Sequence, residues 1–132
     1  MAKTITTWKK AHEFEAEHEG NKIQMDGATE NGHGPKALLL SALAGCSGID
    51  VVDVLTKMRV EFSDLIIEAE AEQTEDHPKV FKDIHVAYKI KTAASNEDKV
   101  RKAIDLSLEK YCGVAAMLKK NSSIDYKLFI ES

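Results

Sequence analysis

Pro35-Lys36-Ala37-Leu38-Leu39-Leu40-Ser41-Ala42-Leu43-Ala44-Gly45-Cys46-Ser47-Gly48-Ile49-Asp50-Val51-Val52-Asp53-Val54-Leu55 is the stretch on which the reading of this chain turns. Proline suits a first helical turn, and nothing but Gly45 and Gly48 breaks the helical pattern from Pro35 to about Met58. Such a helix spans roughly 36 Å at 1.5 Å per residue. Its apolar residues at 38, 39, 40, 42, 43, 46, 49, 51, 52, 54 and 55 nearly encircle it, so it is expected to be buried on several sides. In a chain of 132 residues a second copy covers such a helix most easily, and a homodimer is expected. Each glycine costs about 1 kcal/mol against alanine in a helix interior. Two of them around a mid-helix thiol imply that something approaches the backbone closely beside Cys46.

Working outward, the segments Thr4–Trp8, Phe14–Glu17 and Asn21–Asp26 read as strands of an antiparallel meander. Gly27–Gly34, with three glycines and an Asn-Gly step, reads as a loop. After the helix, Leu65–Glu72 and Ile84–Ile90 alternate apolar and polar residues around the polar turn Glu75–Lys79. Asn96 stands where it caps a second helix, with Val100, Ala103, Ile104, Ser107, Leu108 and Tyr111 on its core face. A short helix from Gly113 to about Lys120 and a strand over Ile124–Ile130 complete the order. The pattern predicts a single α+β domain over residues 1–132.

The chain carries 18 Lys and Arg against 22 Asp and Glu, for a net charge of −4. Non-specific nucleic-acid binding rests on clustered cations, so no nucleic-acid partner is expected. No apolar signal core opens the sequence, and no 18 apolar residues run uninterrupted, so no membrane partner is expected either. The expected location is the cytoplasm, where thiols stay reduced and a cysteine pair is more often redox-active than a structural staple.

Cys46 and Cys112 are the only cysteines. Free cysteines are most often small buried hydrophobes. Here glycines flank Cys46, and Cys112 lies near a predicted helix N-terminus, whose dipole favours a thiolate. A thiolate that meets a peroxide becomes a sulfenic acid, which a second cysteine condenses to a disulfide. His12, His18, His33, His77 and His85 have no zinc-motif spacing, and a site of His33, Cys46, His77 and Cys112 is the remaining metal alternative. No cofactor or metal is expected. Asp50 and Asp53 share the helix face of Cys46 and read as salt-bridge or interface partners rather than bases, while Glu68, Glu70 and Glu72 read as a solvated strand face.

The helix Pro35–Cys46, the segment Lys110-Tyr111-Cys112-Gly113-Val114 and the turn Glu75-Asp76-His77-Pro78-Lys79-Val80-Phe81 resemble the OsmC family, which includes osmotically inducible protein C and the organic hydroperoxide resistance proteins. The resemblance covers nearly the whole chain. It implies an OsmC-like fold, with antiparallel sheets around a long central helix, in an intertwined homodimer with active sites at the interface. It further implies that Cys46 attacks the peroxide and Cys112 resolves it, with a dithiol reductant such as a lipoyl group. Family peroxidases also use an arginine from the N-terminal strands and a glutamate early in the cysteine helix. No arginine precedes Arg59 here, and Lys36 and Ala37 stand where the glutamate is expected. The resulting expectation is a thiol-dependent peroxidase acting on organic hydroperoxides. The alternative is a non-enzymatic dimeric stress protein that binds a small apolar or electrophilic ligand at its interface.

Overall fold

The computed structural model describes all 132 residues. The elements are β1 (Ile5–Lys10), β2 (Glu13–His18), β3 (Asn21–Asp26), α1 (Pro35–Lys57), β4 (Ser63–Gln73), β5 (Phe81–Lys91), α2 (Glu97–Leu106), α3 (Gly113–Leu118) and β6 (Ser123–Glu131). A 3-10 turn, Ala94–Asn96, precedes α2, and a π-turn, Ser107–Tyr111, joins α2 to α3. The fold is α+β, as the sequence pattern predicts. The chain divides into two compact units, Met1–Leu40 and Ser41–Ser132.

In the first unit β1, β2 and β3 form an antiparallel sheet in sequence order, with Trp8 opposite Phe14 and Ala16 opposite Ile23. Glu15 bonds Lys9 at 3.3 Å and Lys22 at 3.5 Å, and these cations, Lys9 first, hold its carboxyl below the usual range. The Gly27–Gly34 loop is organised by Asp26, whose carboxylate accepts the backbone amides of Ala28, Asn31 and Glu30 at 2.8, 3.0 and 3.3 Å. A Cβ on Gly32 would sit 2.6 Å from the Gln24 carbonyl oxygen, so only glycine fits that approach.

In the second unit α1 buries Leu43, Ser47, Val51 and Leu55, a stripe at i, i+4 spacing. These side chains share one core with Ile84, Val86, Tyr88 and Ile90 of β5 and Val100, Ala103 and Ile104 of α2. By length and composition α1 is apolar enough to cross a membrane, at mean hydropathy 1.8, although polar residues interrupt its apolar run. Its buried stripe is occupied by core packing and by the hydrogen bond from Tyr88 to Ser47.

The second sheet has the order β4-β5-β6. The β4–β5 pair is antiparallel, whereas β6 runs parallel to β5, from Asp83 opposite Ser123 to Lys91 opposite Glu131. The segment holding both later helices makes that parallel return possible, since parallel neighbours need a long crossover. Glu68, Glu70 and Glu72 are exposed, as their alternation implies. Beside them His85 bonds Asp125 through Nδ1 at 2.9 Å and Glu72 through Nε2 at 3.2 Å, and these two carboxylates, Asp125 first, raise its pKa.

Candidate active site

Cys46 lies on α1 and is half-buried, one residue before the fully buried Ser47. Gly48 explains part of the glycine pattern. A Cβ there would stand 3.0 Å from Ile67 Cδ1, so α1 and β4 approach closely at that point. Gly45, one turn earlier, has no atom within 4 Å of a built Cβ and leaves open space beside the helix.

Cys112 is placed by the π-turn. Helical spacing of 3.6 residues from Ile104 and Ser107 puts Tyr111 on the core face, but Tyr111 is 59% exposed and Cys112 is buried at 3%. The extra residue of the π-turn causes this exchange. The Cys112 amide donates to the Ser107 carbonyl at 2.8 Å, five residues back, so the chain is rotated past Tyr111 before α3 begins. Lys119 Nζ donates to the Leu108 carbonyl, which helps satisfy an acceptor in the widened turn. Cys112 is extended (φ −76°, ψ 105°) and caps α3, its Sγ accepting the Ala115 amide at 3.3 Å.

The fold brings Cys46 and Cys112 near enough for each thiol to act on the other. The expectation that the helix N-terminus favours a Cys112 thiolate is not met. Burial, reinforced by the contact with Cys46, pushes the Cys112 thiol up to about 11, and the opposing amides of Ala115 and Val114 do not offset it. Cys46 is therefore the accessible sulfur and Cys112 the protonated, sheltered one. A raised thiol pKa makes labelling pH-dependent in a defined direction. At pH 8 about one Cys112 in a thousand is ionised, and labelling by iodoacetamide should rise about tenfold per pH unit toward pH 11. Peptide mapping that finds Cys112 labelling already level at pH 9 would show that burial does not hold its proton.

Beneath the thiols lies a polar chain in an otherwise apolar core. Tyr88 Oη and Ser47 Oγ are 2.6 Å apart, Ser47 Oγ and Ser107 Oγ 2.9 Å, and Ser107 Oγ donates to Asp50 Oδ2 at 2.9 Å. Ser47 and Ser107 are fully buried, and Tyr88 is 1% exposed. Burial pushes the Tyr88 phenol up to about 12. The sequence placed Asp50 on the Cys46 helix face, and it is in fact bonded to a serine. Ser47, Tyr88 and Ser107 were missed as polar partners. Their one sequence signal is a hydroxyl inside an apolar helical face, at 47 and again at 107.

The other sequence candidates lie elsewhere. His77 is on the exposed Glu75–Lys79 turn, and His33 is in the first unit, where its carbonyl accepts the Asp26 amide at 2.9 Å. No three His, Cys, Asp or Glu side chains gather in a metal-binding group.

Comparison with known proteins follows the same lines. The family described as OsmC-like protein matches residues 27–127. Protein YhfA of Escherichia coli K12 is 36% identical over 108 residues, covering 81% of each chain. A hypothetical protein of Aquifex aeolicus superposes with a TM-score of 0.85 at 29% identity, over 100% of this chain and 98% of that one. The organic hydroperoxide resistance protein OhrB of Bacillus subtilis shares the fold at a TM-score of 0.63 and 18% identity, over 99% and 98% of the two chains. A cysteine-bearing central helix, a second cysteine on the turn between two later helices and this family match lead to one conclusion: the chain belongs to the OsmC-like family.

Proposed function

We propose that this protein reduces organic hydroperoxides, with Cys46 as the attacking thiolate and Cys112 as the resolving thiol. The observation that carries the reading is the juxtaposition of a half-buried and a buried thiol, drawn from distant parts of the chain. The relatedness of the fold to proteins named for organic hydroperoxide resistance adds support.

In the first step the Cys46 sulfur attacks the terminal oxygen of ROOH. The S–O bond forms as the O–O bond breaks, RO⁻ takes a proton and leaves as alcohol, and Cys46 becomes a sulfenic acid. Cys112 then attacks the Cys46 sulfur, the S–S bond forms, and hydroxide departs with the Cys112 proton as water. A dithiol of the lipoyl class reopens the disulfide by two exchanges. A reducing compartment such as the cytoplasm keeps the resting pair as thiols.

A homodimer belongs to the same proposal. Ile5, Trp8 and Ile23 of the first unit are more than half exposed, as is Ile49 on α1. Consumption of cumene hydroperoxide with dihydrolipoamide as reductant tests the function. A wild-type rate equal to that of the reductant alone would sink it. A second reading, ligand binding without turnover, draws on the absence of arginine before Arg59 and of glutamate at positions 36 and 37. That reading requires the assay to show no turnover while the electrophile or apolar ligand binds beside Cys46.

A further inference from the structure

The hydroxyl chain under the thiols has a direction. A carboxylate oxygen only accepts, so Ser107 spends its single hydroxyl proton on Asp50 Oδ2. Its lone pairs then accept from Ser47, and Ser47 in turn accepts from Tyr88. Every proton in the chain points toward the charged end, where Asp50 is half-buried. Bonds to a charged acceptor are roughly twice as strong as neutral ones, so the Ser107–Asp50 link anchors the set.

The position of this chain matters more than its strength. Ser47 and Asp50 stand one and four residues after Cys46 on α1. Ser107 opens the π-turn, and its carbonyl accepts the Cys112 amide at 2.8 Å. One residue is thus tied at both ends: through its hydroxyl to the helix of Cys46, and through its carbonyl to the backbone of Cys112. A π-turn lacks the regular i, i+4 ladder that would otherwise set the height of Cys112 against α1. Tyr88 on β5 closes the far end of the network and fixes the rotation of Ser47.

We propose that Ser107 and Asp50 are positioning residues that hold the Cys112 turn within bonding range of Cys46, so that closure of a Cys46 adduct by Cys112 depends on this tie. The inference rests on the thiol-pair reading above but not on the identity of the oxidant. Two sulfurs form a disulfide only over a narrow range of Cβ separations and dihedral angles. A turn released from α1 would sample that range for a smaller fraction of the time.

The test separates closure from peroxide chemistry. Methyl methanethiosulfonate converts the Cys46 thiolate to a methyl disulfide and releases methanesulfinate. Cys112 then attacks the Cys46 sulfur, forms Cys46–Cys112 and expels methanethiolate, its own proton passing to solvent. Timed acid quenching and mass spectrometry follow the adduct, with Cys112→Ser as the variant that cannot close. In Ser107→Ala the adduct should persist about tenfold longer than in wild type. Ser107→Thr keeps the hydroxyl and should restore closure to within about twofold of wild type. Asp50→Ala removes the acceptor at a partly exposed site, where alanine favours the helix, and should also slow closure severalfold.

Closure in Ser107→Ala and Asp50→Ala at the wild-type rate overturns the proposal. So does a Ser107→Thr variant as slow as Ser107→Ala, which would make the effect one of packing. A wild-type adduct that lasts as long as that of Cys112→Ser, or a Cys46 that resists the reagent, also counts against it. If Ser107→Ala fails to fold by circular dichroism, the Asp50→Ala and Ser107→Thr rates decide alone. Hydroperoxide consumption measured in parallel keeps the two ideas apart. Closure dependent on Ser107 without peroxide turnover defeats the peroxidase reading only, and peroxide turnover with closure indifferent to Ser107 defeats the positioning role only.

Discussion

Cys46→Ser is expected to bring hydroperoxide consumption down to the rate of the free reductant, a loss of at least a hundredfold, or about 2.7 kcal/mol of barrier. A serine hydroxyl cannot replace the thiolate, because it stays protonated and its oxygen is a poor nucleophile toward peroxide oxygen. Cys112→Ser is expected to behave differently. The Cys46 sulfur is still present and half-exposed, so the first turnover should proceed with about one equivalent of peroxide consumed. Without a resolving thiol the sulfenic acid should then accumulate, be trapped by dimedone, and pass to sulfinic acid under excess peroxide. Stopped-flow kinetics with mass spectrometry of the Cys46 peptide reads both variants. Equal turnover in wild type and Cys46→Ser would remove Cys46 from the chemistry, and steady turnover by Cys112→Ser without dimedone trapping would remove Cys112 from its resolving role.

How far these roles were legible in the sequence depends on the range of the interaction that fixes each one. The helix Pro35–Lys57 was readable because its opening proline, its apolar pattern and its two glycines are all local. The strands β4 and β5 were readable from alternation, which reports only a strand's own two faces. The direction of β6 was not, since an alternating segment looks the same whether it pairs parallel or antiparallel. Tyr111 shows a subtler limit. Periodicity put it on the core face, but one extra residue in the π-turn sends it outward and turns Cys112 inward. Nothing in Ser107-Leu108-Glu109-Lys110-Tyr111 announces a π-turn in advance. Ser47 and Ser107 were unreadable as partners because their bonds cross 41 and 60 residues of sequence. The pKa of Cys112 inverted for a related reason. A helix start is visible in sequence, whereas the burial that outweighs it is a property of the packed core.

The second large effect concerns assembly. On α1, Gly45, Gly48, Ile49 and Val52 lie at spacings of three and four residues and line an open groove of about 580 Å³ with Leu65 and Ile67. Ile49 is 66% exposed and Val52 39% exposed, which leaves the apolar stripe in water in a single chain. A helix with glycine at the crossing point admits another backbone closely, and nothing in this chain fills the space beside Gly45. A second α1 laid into this groove would cover the stripe on both copies at once, because a two-fold interface pairs a patch with itself. Ile49→Asp would then set two carboxylates against one another in an apolar contact. Unpaired buried charge costs several kcal/mol, so the dimer is expected to weaken by about a thousandfold or more, with the protomer fold retained. Light scattering across a concentration series should find a dimer for wild type at micromolar concentrations and a monomer for Ile49→Asp, with unchanged far-ultraviolet circular dichroism. A wild type that remains monomeric over that range, or an Ile49→Asp protein that remains dimeric, would show that this face of α1 is not where two copies meet.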